Sequence, residues 1–338
     1  MYVKRNLDFK GIAEFTGFHL VWLTCYSALA VYVYHTLDYS FLAIPSLAIS
    51  LIGTAVAFYV GFKNNSSYDR MWEARKIWGA IVNDSRSFGI GCKNLIDKAD
   101  SDNKEIVKKL IHRHIGWLYT LRAQLLVPAV WEHIKGNYLI SLVAKRRIRE
   151  RGTGMYSMES NDKRLAKFLD DEEFEKIHKV TNMATHLLDW QSKTLKELNK
   201  KGDLNDYQHI NLQEALYRLY DHQGKNERIK NYPFPRQYAS MSFYFVGIFI
   251  LIVPFGIMPV VDASSHISIW WSVLFSVLVS WVFLMMELVG DYSENPFEGM
   301  GNDIPMLSIC RTIEIDLLEM LGESDIPPKI EAKNNILM

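Results

Sequence analysis

The chain has 338 residues with 38 basic and 38 acidic side chains, so it carries no net charge and bulk electrostatics give it no hold on nucleic acid or another polyanion. A mean hydropathy of −0.04 is that of a soluble protein, yet this average hides a partition. Residues 15–37, 39–62, 237–261 and 263–286 contain no Asp, Glu, Lys or Arg, and nearly all the charge lies between and after them. Each stretch exceeds the roughly 20 residues with which a helix crosses a ~30 Å hydrocarbon core, so four transmembrane helices are expected. The first is too long for a signal-peptide core and no small-residue cleavage site follows it, so it is expected to stay in the mature protein.

Flanking cations orient these spans. Lys4, Arg5 and Lys10 precede the first, Lys63, Arg70, Arg75 and Lys76 follow the second, and Arg228, Lys230 and Arg236 precede the third. The links between spans one and two (Asp38) and three and four (Asp262, Ser264, Ser265) lack Lys and Arg. Basic residues stay on the cytoplasmic side, so both termini and the long middle segment are expected there, with two tight hairpins outside. The chain divides into 1–62 (spans one and two), 63–236 (a cytoplasmic helical domain), 237–290 (spans three and four) and a cytoplasmic segment 291–338.

The second span carries two stripes at four-residue spacing. Gly53, Ala57 and Gly61 form a small-residue stripe, and Thr54, Phe58 and Phe62 form a bulkier one rotated by about 100°. Small stripes let helix backbones approach closely in lipid, where no hydrophobic force draws helices together. The bulky stripe then faces lipid, another helix or an axis shared between subunits. Phe243, Phe245 and Phe249 of the third span offer a packing destination for its rings. The uncharged run ends at Lys63. Just beyond it, Arg70 and Glu73 are spaced as a pair on one helix, and Trp72 suits an interfacial anchor. Ser268, Ser272, Ser276 and Ser280 form a second small stripe in the fourth span.

The middle segment reads as helical. Val107, Leu110, Ile111, Ile115, Leu118, Leu121 and Leu125 keep the three-and-four spacing of an amphipathic helix over Lys104–Val127. A second helix is expected over Leu165–Asn199 with Gly202 as its stop, and a third over Asn205–His222 stopping at Gly224. A loop around Arg151–Asp162 separates the first two. The basic run Lys145–Arg149 reads as a solvated helix end, with attraction of anions or lipid headgroups as the alternative. Asp170–Glu173 reads as a first turn complementing a helix dipole. The tail from Glu323, with Pro327 and Pro328, is expected to be extended.

Chemistry-bearing motifs are absent. No Walker loop, GxGxxG turn, HExxH or GxSxG occurs, so nothing points to an enzyme. His112 and His114 are two apart and leave a helix on different sides. Glu132–His133 reads as a surface pair, with a proton relay as the alternative. Paired histidines on facing spans can hold haem, which leaves His19, His35 and His266 to consider. All three sit near span ends, where solvation suffices, and no cofactor is expected. Cys25, Cys92 and Cys310 are widely spaced with no CxxC, and read as small apolar fillers.

Two stretches carry a family resemblance. LIGTAVAFYVGF followed by KNNSSYDRMWEARKIWG (51–79) is similar to the second transmembrane helix and following turn of the bestrophin ion channels, and ENPFEGMGNDIPMLSICRTIEIDLLEM (294–320) resembles that family's signature after the fourth span. With the helical middle, the resemblance covers essentially the whole chain and is closest to the bacterial members. It implies an all-α fold, four transmembrane helices plus a large cytoplasmic helical bundle, assembled as a homopentamer around an axial pore in the inner membrane. It implies that Thr54, Phe58 and Phe62 line a narrow neck, and that Tyr207 in LNDYQHINL (204–212) forms a cytoplasmic aperture, with His209 as the fallback. Eukaryotic members hold calcium in an acidic cluster after NPFG. Here Glu298, Gly299, Met300, Gly301, Asn302 and Asp303 follow Asn295-Pro296-Phe297, most of the hard oxygen ligands are missing, and no calcium gating or other metal is expected. The implied partners are monovalent ions, with chloride favoured, and membrane lipids. Phenylalanine edges carry the positive end of the ring quadrupole, so Phe58 and Phe62 turned to an axis favour an anion. A cation-permeable channel of the same fold, a membrane-anchored sensory protein and a haem enzyme are the alternatives.

Overall fold

A computed structural model describes residues 1–6, 9–37, 39–96, 101–156, 160–262 and 268–338; Asp38, Ser264, Ser265 and His266 lie outside them. Among the described residues no β-strand forms, only isolated bridges. Two compact units share the chain. A membrane unit comprises Lys4–Arg70 and Phe234–Glu294, and a helical unit comprises Met1–Val3, Met71–Pro233 and Asn295–Met338.

The membrane unit holds α1 (Phe9–Thr36), the first part of α2 (Ser46–Leu95), α9 (Arg236–Asp262) and α10 (Trp271–Asp291). All four helices are long and apolar enough to cross a membrane. Leu23, Val56, Val60, Val246, Phe249 and Val253 form one apolar core, and Ala30, Val31, Tyr34 and Met258 a second. Two glycines allow close helix approach. A Cβ on Gly256 of α9 would lie 2.4 Å from Ile49, and one on Gly290 of α10 would lie 2.1 Å from Asn64. Ser272, Ser276 and Ser280 are buried as their spacing predicts, while Ser268 is exposed. Pro254 and Pro259 lie inside α9. Pro259 has no N–H to give the carbonyl of Phe255, and that carbonyl accepts instead from the Ile44 amide at 3.0 Å.

The helical unit is built around α3 (Ser101–Leu125), whose apolar stripe is buried throughout as predicted. Its core is shared with the second part of α2, α5 (Asn161–Phe168), α6 (Asp171–Ile177), α7 (Met183–Lys201), α8 (Asp206–Asn231) and α11 (Met306–Leu321). Buried polar groups find partners across it: Trp117 Nε1 donates to Gln223 at 3.0 Å and Arg113 Nη1 to Thr194 at 3.1 Å. The helix α4 (Tyr138–Arg151) precedes α5, and the chain from Glu323 on forms no helix; it turns back tightly at Lys333–Ile336, with Asn334 and Asn335 at φ +50° and +62°.

Two expectations are corrected. The helix over Leu165–Asn199 is three helices, because Asp170 and Asn182 turn their side chains onto the amides of Glu173 and Thr185 and start α6 and α7 afresh. Gly202 does stop α7, at φ +90°. Gly224 does not stop α8. The helix runs to Asn231, and extended Tyr232 before Pro233 ends it.

At Lys63, where the uncharged run ends, α2 continues without a break to Leu95. Lys63 is buried, with Nζ 2.5 Å from Glu287 Oε1 and 3.7 Å from Asp291, and the hydroxyl of Ser242 donates to Glu287. Removing one charge strands the other. Lys63→Ala is therefore expected to destabilise the fold by about 3 to 5 kcal/mol, whereas Lys63→Met combined with Glu287→Met recovers most of the loss. Thermal unfolding of the detergent-purified variants measures both.

Candidate functional site

The buried positions of α2 in the membrane unit are Gly53, Val56, Val60, Lys63 and Ser67. At 100° per residue they share one arc, and Thr54, Phe58 and Phe62 lie about 180° away. The small stripe is thus not the packing face: Gly53 meets the ring of Phe249, but Gly61 is exposed with nothing near it. The helix packs through valines and a lysine, and presents its bulky stripe directly opposite.

Phe58 is 80% exposed and Phe62 52%. The Thr54 hydroxyl donates to the Ser50 carbonyl at 2.9 Å. Of the rings on α9 within the sequence's reach of this stripe, Phe245 takes Tyr59 edge-on at 5.2 Å, and Phe249 takes Phe283 at 4.4 Å. Phe62 touches Tyr238 at 5.7 Å. Phe58 is left uncovered by the helices of its own unit.

Tyr207 stands in the first turn of α8, in the helical unit, and is 87% exposed. A capping box holds that turn, the Asn205 and Gln208 side chains each accepting the other's amide at 2.9 Å. His209 is half-buried. The three α2 residues therefore share one face, and Tyr207 belongs to a different compact unit.

None of Thr54, Phe58 and Phe62 titrates near neutrality, and no group of three metal-ligating side chains occurs among the described residues. The exposed face offers two apolar rings and a threonine whose hydroxyl is already given to the Ser50 carbonyl.

Several charged residues elsewhere escape sequence reasoning. Arg70 donates to the Glu294 carbonyl at 2.7 Å, and Glu73 pairs with Arg228, in place of the expected Arg70–Glu73 pair. Glu132–His133 is not a surface pair: Glu132 is buried against Lys230, and His133 Nδ1 lies 3.0 Å from Glu298. His112 lies 3.8 Å from Glu323, while His114 is fully buried between Phe88 and Trp117 and burial pushes its pKa down to about 3. A signal for Lys63 existed. It shares the helical phase of Val56 and Val60, and Glu287 is the first charge after the fourth uncharged run.

A family profile described as bacterial/fungal bestrophin protein matches residues 16–319. The chain belongs to the bacterial and fungal bestrophins. This bestrophin is 27% identical over 281 residues to the voltage-dependent anion channel-forming protein YneE of Escherichia coli K12, covering 83% of this chain and 78% of that one. It is 28% identical over 291 residues to the voltage-dependent anion channel-forming protein RSc3414 of Ralstonia nicotianae, covering 85% and 81%. Its fold is shared with the crystal structure of a bacterial bestrophin homologue from Klebsiella pneumoniae, with a TM-score of 0.74 at 22% identity over 90% of this chain and 98% of that one.

Residues 294–303 of this bestrophin form a dense polar turn. Asn295 donates to Glu298 at 2.8 Å, and buried Asp303 accepts from the amides of Gly299 and Met300 at 2.7 and 3.0 Å. Burial and the nearby charge of Glu298 raise the Asp303 pKa from 3.8 to about 7. The folded protein holds this proton more tightly than the unfolded chain, so the contribution is complete below about pH 4 and is lost as pH rises through about 7. Asp303→Asn, which stays neutral, is expected to gain stability relative to the parent between about pH 5 and pH 8. Paired thermal unfolding curves across that range check it.

Proposed function

We propose that this bestrophin is a pentameric ion channel of the inner membrane, passing small monovalent anions such as chloride through a neck formed by Thr54, Phe58 and Phe62. The observation that carries the reading is the uncovered face of α2: its opposite face is buried in its own unit, so a shared axis is the natural destination of Phe58. Five copies of α2 around that axis stack two rings of phenylalanine below a ring of threonine. The channel-forming names of the E. coli and Ralstonia relatives support the same reading.

Such a neck binds no ion tightly. Its walls are apolar, so water and ions cross poorly until it widens, and hydrophobic constrictions gate by dewetting in this way. Ring edges facing the axis present partial positive charge, which lowers the barrier for an anion relative to a cation. Lys63 supplies no charge to the pore, because it is buried against Glu287. In this reading Tyr207 rings a second, cytoplasmic aperture, and both termini and the helical unit are cytoplasmic, as the flanking cations indicate.

Planar-bilayer recording in a KCl gradient tests the proposal. The reversal potential is expected to take the sign of chloride; the sign of potassium overturns the anion assignment. Phe58→Ala and Phe62→Ala are expected to raise leak current and weaken selectivity, and unchanged currents would sink the neck. Calcium added to either side is expected to leave the current essentially unaltered, since residues 298–303 offer only two carboxylates, Glu298 and Asp303. A steep rise in current would assign a calcium site instead.

A further inference from the structure

The helical unit exposes a surface that neither the neck nor the core uses. α4 divides along its length. Tyr138, Leu139, Ile140, Leu142 and Val143 in its first half are all exposed, and Val130 just ahead of it is 84% exposed. Its second half carries Lys145, Arg146, Arg147, Arg149 and Arg151 and one carboxylate, Glu150, which pairs with Arg146 at 2.9 Å and Arg149 at 3.0 Å. Of the whole helix only Ala144 is buried.

Both ends of α4 are tied to the segment that follows α10. Ahead of it, His133 Nδ1 lies 3.0 Å from Glu298. Behind it, the Thr153 amide donates to the Gly299 carbonyl at 2.9 Å, and Gly152 bridges to Met300. The same loop is pinned by the buried Glu132–Lys230 pair. Glu298 follows the last residue of α10, Asp291, by seven positions, and Lys230 precedes the first residue of α9, Arg236, by six. Chain length alone keeps these anchors within about 25 Å of the end of an apolar span.

We propose that α4 docks on the bilayer surface, with Tyr138–Val143 seated at the boundary between headgroups and acyl chains and Lys145–Arg151 binding anionic lipid headgroups. Apolar side chains left in water are a liability, and the interface removes them from it. Charge complementarity names lipid as the occupant: five cations within seven residues match a sheet of anionic headgroups. The inference rests only on α1, α2, α9 and α10 crossing a bilayer, and holds whichever ion the neck passes.

The test uses the full chain with Cys25→Ala, since Cys92 and Cys310 are buried. An environment-sensitive fluorophore is placed by Leu139→Cys, and in a control by Lys201→Cys at the exposed end of α7. Vesicles contain phosphatidylcholine, phosphatidylglycerol and a nitroxide-bearing lipid quencher. Quenching at position 139 is expected to exceed that at 201 by about threefold or more, and to fall by about half in vesicles without phosphatidylglycerol or when Arg146, Arg147 and Arg149 are replaced by Glu. Equal quenching at the two positions overturns the docking. Quenching that ignores lipid charge overturns the headgroup assignment, and the vesicle arm reads this even if the triple variant fails to fold. Cross-linking between copies at position 139 without lipid quenching gives the face to a second copy and also overturns the proposal.

Discussion

The rotation of α2 about its own axis is set by the buried pair of Lys63 and Glu287. Water is excluded around both side chains, so each charge depends on the other and on the hydroxyl of Ser242. Turning α2 by one residue would swing Lys63 away and leave Glu287 stranded, at a cost of several kcal/mol. With the lysine held inward, Val56 and Val60 face the core and Phe58 must face away. The close approaches at Gly256 and Gly290 limit sliding of α2 against α9 and α10 in the same way. The aromatic face is therefore positioned by a charge on the opposite side of its helix.

A second hub is the turn after α10. Asp303 holds the amides of Gly299 and Met300, Glu298 takes His133 and Asn295, and the Gly299 carbonyl takes Thr153. One short segment thus fastens both approaches to α4 and leads into α11. Gly299 sits at φ +82°, a conformation that side chains disfavour, which lets the turn reverse tightly enough to make these bonds. Residues 294–303 have a structural task whether or not any ion visits them.

Much of the architecture was legible in the pattern of residues. The four apolar spans, the buried stripe of α3, the stop at Gly202 and the absence of a helix after Glu323 follow from periodicity, length and turn chemistry, all of which are local. Errors came where a local rule met a distant partner. Gly224 looked like a stop, yet the helix continues, with Asn226, Ile229 and Lys230 buried beyond it. Arg70 and Glu73 had the spacing of a pair, but partners far along the chain, Glu294 and Arg228, claimed them. Glu132 and His133 looked solvated because charged residues usually are, and buried partners at Lys230 and Glu298 reversed that.

Composition and spacing were enough to establish four membrane-length helices, a helical remainder and a bulky stripe of Thr54, Phe58 and Phe62, because hydrophobicity and helical phase are properties of neighbouring residues. They could not say which stripe of α2 packs. Gly53, Ala57 and Gly61 were the smoother candidate, but the fold buries Val56, Val60 and Lys63 instead. That choice depends on Glu287, 224 positions away in the chain, and a residue's phase carries no information about a partner that only folding brings within reach.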